Sequence, residues 1–322
     1  MTEEKLDQGG LNVGSWVQKN RFAGLFKEKV VNRLKGYRNE QILSKVYKEH
    51  FINKQDKKDA IILAAAPKSG STWVRFVFGN IIALQEMDGK VVDYHELDEM
   101  LPNEAWGEDM CKPWTYKTIP CIVRTHTPYK KIYDHFRGLF VYRNPLDTMV
   151  SQYHYITTRT ADPALENNYR NWKDVEEIRI ITEEWKKRGP GKYIRHSIGL
   201  DRWCHYFNSW IDNCNASCSY ELLKSVPETT FKAVIDRLSL QVEDEITEEA
   251  IKRSDFKKVQ TLEEEFGKSH RMAQLSTKFT RKGSVGQWKD YFDKSDISYF
   301  KTKMTEYNID ISRFEYGESI GL

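Results

Sequence analysis

The stretch that decides the fold is Ala60-Ile61-Ile62-Leu63-Ala64-Ala65-Ala66-Pro67-Lys68-Ser69-Gly70-Ser71-Thr72-Trp73. A continuous apolar run from Ala60 to Ala66, closed by Pro67, is the pattern of a strand buried on both faces of a parallel sheet. Trp73, Phe76, Val77, Ile81 and Leu84 then recur at helical spacing, so strand, polar turn and helix open a βαβ unit. At such a turn, free backbone N–H groups and the helix dipole attract an anion. Gly70 lets the backbone approach closely, Lys68 adds a full charge, and Ser69, Ser71 and Thr72 bring hydroxyls. An ATP-type phosphate loop needs Gly, four residues, then Gly-Lys-Ser/Thr; here Lys68 precedes the single glycine, so the anion is held differently.

Working outward, further strands are predicted over Ile119 to Thr125, Leu139 to Tyr142 and Cys218 to Leu222, each followed by polar or helix-starting residues. The alternation predicts an α/β fold, a single domain over residues 59–322 with a central parallel sheet flanked by helices. Asn144-Pro145-Leu146-Asp147 reads as a helix start, with Asn as N-cap, Pro first, and Asp near the positive dipole end; the helix carries Val150 to Tyr155. Phe231, Val234, Ile235 and Leu238 mark a later helix. Residues 156–199 turn charged and aromatic around an Arg188-Gly189-Pro190-Gly191 break, the pattern of a surface excursion or lid. Residues 1–58 are polar, with apolar positions at Val30, Val31, Leu34, Ile42, Leu43 and Val46 that predict an N-terminal helical extension.

The 322 residues carry 50 Lys+Arg against 47 Asp+Glu, a formal charge of +3, too balanced for a protein whose partner is nucleic acid. No apolar run approaches a membrane span, and the acidic start MTEEKLDQGG lacks the basic and apolar regions of a signal peptide, so a cytoplasmic location is expected. Five cysteines (Cys111, Cys121, Cys204, Cys214, Cys218) include no CxxC pair, as free thiols of a reducing compartment do, and no metal site is expected.

Pro67 to Trp73 closely resembles PKSGTTW, a signature of the cytosolic sulfotransferases, with Ser71 for Thr as the one difference. That resemblance implies a P-loop-like fold and 3'-phosphoadenosine 5'-phosphosulfate (PAPS) as sulfuryl donor, with 3'-phosphoadenosine 5'-phosphate (PAP) as product. Further segments stand in the family's order along the chain. Val141 to Tyr155 resembles the second signature, which implies that Arg143 and Ser151 bind the 3'-phosphate. Arg offers bidentate donors to phosphate, although alone it would equally serve a salt bridge. Arg281-Lys282-Gly283-Ser284-Val285-Gly286-Gln287-Trp288-Lys289 resembles RKGxxGDWK, implying that Arg281, Lys282 and Gly283 close over that phosphate; Gln287 replaces the usual Asp. Ser219-Tyr220-Glu221-Leu222-Leu223-Lys224 falls at the family's YEDLK, and Ser254-Asp255-Phe256 at its TSF. These positions imply that Tyr220, Ser254 and Phe256 meet the nucleotide, with Phe256 and Trp73 sandwiching adenine. Read by themselves, both aromatics fit a core equally well.

Sulfuryl transfer moves a group of spread negative charge between two oxygens, so the protein must position, neutralise charge and take a proton from the acceptor. Arg124-Thr125-His126-Thr127-Pro128 resembles the family's KTHLP, which implies His126 as general base, with Arg124 a planar fork where the family has Lys. The resemblance further implies that Lys68 stabilises the leaving 5'-phosphate and that Ser151 engages Lys68 before the acceptor arrives. The expected acceptor is a small-molecule hydroxyl or amine, since aromatic residues make up 13% of the chain and can line an apolar pocket. The family's dimer segment would begin at Lys289, but Asp293, Lys294 and Ser298 break its pattern, leaving a monomer or an atypical homodimer interface. The rival readings are an inactive PAP-binding or interaction protein, a small-molecule kinase, and a Golgi carbohydrate sulfotransferase.

Overall fold

Four parallel strands, β1 (Ala60–Ala65), β2 (Cys121–Thr125), β3 (Arg137–Tyr142) and β4 (Ala216–Ser219), stand in the order β2-β1-β3-β4 at the centre of the computed structural model. The structure describes residues 44–52, 59–104, 109–159, 172–267 and 280–314. Leu63 of β1 pairs with Arg124 on one side and Leu139 on the other. Every residue of β1 is buried, and the side chains divide with period two. Ile61, Leu63 and Ala65 join one apolar cluster and Ala60, Ile62 and Ala64 the other. That division is why an uninterrupted apolar run was needed: helices cover both faces.

On the first face lie α1 (Ser71–Glu86) and α2 (Tyr94–Met100), and later α7 (Pro227–Arg237) and α8 (Asp244–Arg253). The second face is covered by α3 (Pro145–Arg159), by the end of α4 (Trp172–His196), by α5 (Gly199–Trp210) and by α10 (Lys294–Glu306). The short α6 (Tyr220–Ser225) follows β4, and α9 (Phe256–Phe266) follows α8. Asn144 caps α3 as its sequence predicts, its Oδ1 accepting the Leu146 N–H at 2.9 Å.

Two strand limits differ from expectation. Pairing in β2 begins at Cys121 rather than Ile119, because Pro120 has no N–H to give the ladder. The last strand ends at Ser219 instead of continuing to Leu222. There the Ser219 hydroxyl accepts the Leu222 N–H at 3.1 Å and starts a helix, so Tyr220 stands at a helix N-terminus.

The expected helices over Val30 to Leu43 lie outside the described residues, but the end of the N-terminal segment does not. Tyr47 and Phe51 are buried in the second cluster. Of residues 156–199, the stretch 160–171 is also outside the described residues. The later part departs from a purely surface excursion: after the break at Gly189 (φ 75°), Tyr193 and Ile194 are core side chains.

Candidate active site

All four strands deliver expected site residues at their carboxyl ends, the edge where ligands bind in open parallel sheets. Past β1 the chain turns sharply. Lys68 (φ 74°) and Gly70 (φ 97°) are both left-handed and bracket Ser69, whose N–H donates to the Ala66 carbonyl at 3.2 Å. Alternating left- and right-handed residues at a helix start form a concavity for an anion. Ser69 is fully buried and its hydroxyl has no hydrogen-bond partner, an orphaned donor inside that concavity. Gly70 is required twice over: its φ suits glycine, and a Cβ there would stand 2.5 Å from Cδ2 of Tyr220. Ser71 and Thr72 open α1 immediately beyond.

Arg143 leaves β3 and ties three segments together. Its Nη1 donates to the Lys68 carbonyl at 3.5 Å, its Nη2 donates to the Ser284 carbonyl at 2.8 Å, and its guanidinium lies 4.6 Å from the Tyr220 ring centroid. The residue is buried and its Nε is without a partner. Tyr220 in turn donates its hydroxyl to the Gly283 carbonyl at 3.0 Å. The loop that carries Arg281, Lys282 and Gly283 is therefore tied to Tyr220 and Arg143 through the Gly283 and Ser284 carbonyls. Gly283 (φ 60°) lies so close to Phe256 that a Cβ would meet its ring at 2.6 Å. Gln287 is buried and its Oε1 accepts a hydrogen bond from Arg281, so the amide in the usual Asp position still tethers that guanidinium.

Trp73 and Phe256 flank one position: the Lys224 ammonium lies 5.9 Å from one ring centroid and 5.7 Å from the other. Faces that attract a cation also stack on a nucleobase. Ser254 does not share this role as expected. It is fully buried, its hydroxyl donates to the Ala250 carbonyl at 2.7 Å and accepts from Asn80 at 3.1 Å, and its carbonyl takes the Trp73 indole N–H at 2.6 Å. Its work is to hold Trp73 from behind.

His126 follows β2 with its Nδ1 2.5 Å from the Ala65 carbonyl. A carbonyl only accepts, so Nδ1 carries the hydrogen and Nε2 keeps its lone pair. Burial, then the Arg124 charge, lowers the imidazole pKa to about 4, against the pull of the Ala65 bond. The ring is therefore neutral near pH 7. Across the site, Lys68 places its ammonium 4.8 Å from the Tyr155 ring centroid. Burial and the neighbouring Arg143 and Arg281 charges bring its pKa down to about 8.

Helix α3 presents Asp147, Ser151, His154 and Tyr155 at three- and four-residue spacing, hence on one face. Asp147 reaches the 281–288 loop and Tyr155 reaches Lys68, and Ser151 lies one turn from each on the same helix face. Sequence reasoning missed two members of this face. Asp147 had been read only as a dipole partner; its carboxylate, fully buried, accepts the N–H of Gly286 at 2.7 Å and of Trp288 at 3.0 Å. His154 had no role; its Nε2 is buried without a partner, and burial with the Arg281 and Lys282 charges lowers its pKa to about 4. The i, i+4 spacing of Arg143 and Asp147 was the available signal for the first.

Orphaned Ser69 and Arg143 donors and two aromatic rings about one position are groups suited to an anionic, aromatic ligand. Among the described residues, no helix is long and apolar enough to cross a membrane. Residues 58–310 match the family model of the sulfotransferase domain. Similar proteins include sulfotransferase 6B1 of Danio rerio, 28% identical over 249 residues, covering 75% of each chain. Sulfotransferase 1C2 of Rattus norvegicus is 24% identical over 277 residues, covering 77% of this chain and 84% of its own. In fold, the chain is similar to mouse sulfotransferase SULT7A1 complexed with PAP (TM-score 0.52, 20% identity, covering 81% of this chain and 89% of that one). It is also similar to retinol dehydratase in complex with androsterone and inactive cofactor PAP (TM-score 0.51, 17% identity, covering 78% and 81%).

Proposed function

The chain belongs to the sulfotransferase domain family, and we propose that it transfers the sulfuryl group of PAPS to a hydroxyl or amine of a small-molecule acceptor. The observation that carries this reading is His126 with Nδ1 committed to the Ala65 carbonyl, leaving Nε2 as a base beside the Lys68-Ser69-Gly70 turn. PAP in the mouse SULT7A1 and retinol dehydratase structures supports the choice of donor.

Bound PAPS supplies a sulfuryl group on a good leaving phosphate. In this reading, the N–H groups of the turn, the Ser69 hydroxyl and Lys68 hold the 5'-phosphate, and an anion there restores the Lys68 proton that burial disfavours. Arg143, Ser151, Arg281, Lys282 and the Gly283 backbone hold the 3'-phosphate, while Trp73 and Phe256 fix the base. His126 Nε2 takes the acceptor proton. Arg124 and Lys68 are among the charges that lower its pKa, so an anion neutralising them strengthens the base where it is needed. Residues 156–199 would cover the acceptor side, and the protein would act in the cytoplasm, as a monomer or homodimer, without metal.

Calorimetric titration of PAP into the wild type and Arg143→Ala, in metal-free buffer, tests the donor site. Binding by the wild type that is lost in the variant is expected. An acceptor screen with PAPS, using His126→Ala as the control, then tests the chemistry. Binding without turnover on any hydroxyl or amine would leave a PAP-binding protein, and tight binding of ATP with magnesium in place of PAP would favour a kinase.

A further inference from the structure

Among the described residues ahead of the family-matched 58–310, Tyr47 and Phe51 are buried in the structure, and of these two Tyr47 carries a hydroxyl. Its hydroxyl donates to Oε2 of Glu104 at 3.1 Å, and the Tyr133 hydroxyl donates to the same oxygen at 2.6 Å. Oε1 of Glu104 accepts the Thr127 hydroxyl at 3.3 Å. Thr127 Oγ1 lies 2.9 Å from both the Tyr133 hydroxyl and Thr125 Oγ1, and the Thr127 N–H donates back to Thr125 Oγ1 at 3.1 Å. These two threonines flank His126. From the other side, Tyr206 donates to the Thr125 carbonyl at 3.3 Å and Trp210 to the Thr127 carbonyl at 2.9 Å. Glu104 is also bound to the strand carrying the histidine, its N–H donating to the Arg124 carbonyl at 2.9 Å.

We infer that Tyr47 is a positioning residue for His126: through Glu104 it completes the hydrogen-bonded clamp that fixes the Thr125–Thr127 turn and with it the orientation of the imidazole. The inference rests on the reading of His126 as the base. A carboxylate buried among hydroxyls needs each of them, because a lost donor leaves its charge poorly solvated. Burial and the adjacent Glu104 hold the Tyr47 phenol well above its ordinary pKa, so it always has a proton to give. The chain ahead of the domain thereby contributes a group to the acceptor side of the site. Its ring is placed independently of the hydroxyl, against Phe136, Phe51 and Tyr133 at centroid distances of 5.2, 5.8 and 5.8 Å, so Tyr47→Phe removes one hydrogen bond and keeps the packing.

The test is nitrogen-15 NMR of the histidine rings in the full chain, with His126→Ala assigning the His126 signals, and calorimetric titration with PAP beside it. In the wild type, Nδ1 and Nε2 of His126 should be widely separated, one protonated and one bare. In Tyr47→Phe, the separation should narrow and the titration midpoint rise toward the ordinary histidine value, with PAP affinity unchanged. Glu104→Gln should do the same, and the double variant no more than Glu104→Gln alone. An unchanged His126 signature in Tyr47→Phe overturns the inference, as does a PAP affinity that falls with it, which would mean general loosening. Averaged tautomers in the wild type would instead overturn the reading of His126 itself.

Discussion

Asp147, in the first turn of α3, accepts the backbone N–H of Gly286 across 139 residues of chain, and this carboxylate joins Arg143 and Tyr220 in holding the 281–288 loop. The same carboxylate takes the Trp288 N–H and lies 3.8 Å from Arg143 Nη2. Asp147→Asn keeps one acceptor but aims an NH2 at a backbone donor. A hydrogen bond to a charged group contributes about 1.5–3 kcal/mol, so PAP affinity should fall on the order of tenfold to a hundredfold, measured by calorimetry. Asp293→Ala, which removes the capping box of α10, should lower Tm and leave PAP affinity intact. Equal effects of both on binding would refute the loop clamp.

Gly70 meets the Tyr220 ring and also occupies left-handed space, so Gly70→Ala meets two obstacles. Left-handed backbone costs an L-residue about 1–2 kcal/mol, and the ring must also move. PAP binding should be lost and Tm lowered. Tyr220→Ala in the same chain should relieve the clash without restoring binding, since φ stays strained. Gly267→Ala separates the contributions: at φ 78° with nothing within 4 Å of its Cβ among the described residues, it should lower Tm modestly and leave PAP affinity unchanged.

The phosphate turn was legible because its signals are local: a buried run, a proline, a glycine and hydroxyls within fourteen residues. The chain order of the signatures pointed Arg143, Tyr220, Phe256 and Arg281 toward one place; the ends of β3 and β4 deliver Arg143 and Tyr220, and Gly283 of the loop that carries Arg281 packs against Phe256 and accepts the Tyr220 hydroxyl. What stayed illegible depends on contacts distant in sequence. Ser254 looked like a ligand contact until Asn80, 174 residues away, claimed its hydroxyl. Glu104 looked like one acid among many; only the fold sets it among Tyr47, Tyr133 and Thr127. The strand expected through Leu222 failed for a local reason, since a cap hydroxyl at Ser219 outweighed the apolar pattern beyond it.

Lys68 couples donor binding to protonation. With a pKa of about 8, the free protein has partly released this proton at about pH 8.5, and a bound phosphate favours the charged form. Binding there should take up a proton. The observed enthalpy of PAP binding should then differ between two phosphate-free buffers of unlike ionisation enthalpy, and affinity should decline as pH rises through this range. Lys68→Arg, permanently charged, should abolish the Lys68 share of that difference even if it binds less well. A wild type indifferent to the buffer would show that Lys68 is already fully protonated.

His126 and His154 should make the fold acid-sensitive in a defined window. Burial is the first cause of both depressed values, each about 4 against an ordinary 6.5, with Arg124 adding at His126, and Arg281 then Lys282 at His154. Between those limits the unfolded chain binds more protons than the folded one, so acidification favours unfolding. Stability from these groups is fully present above 6.5, declines as pH falls, and is lost at about 4. Thermal unfolding across this window checks it. His126→Asn can still donate to the Ala65 carbonyl yet does not titrate, so Tm should fall less steeply with acid than in the wild type. His154→Asn should flatten the slope independently, because the two rings answer to different cations. If neither variant changes the slope, both histidines titrate in the folded protein near the ordinary 6.5, and the depressed values that burial and the neighbouring cations give them are refuted.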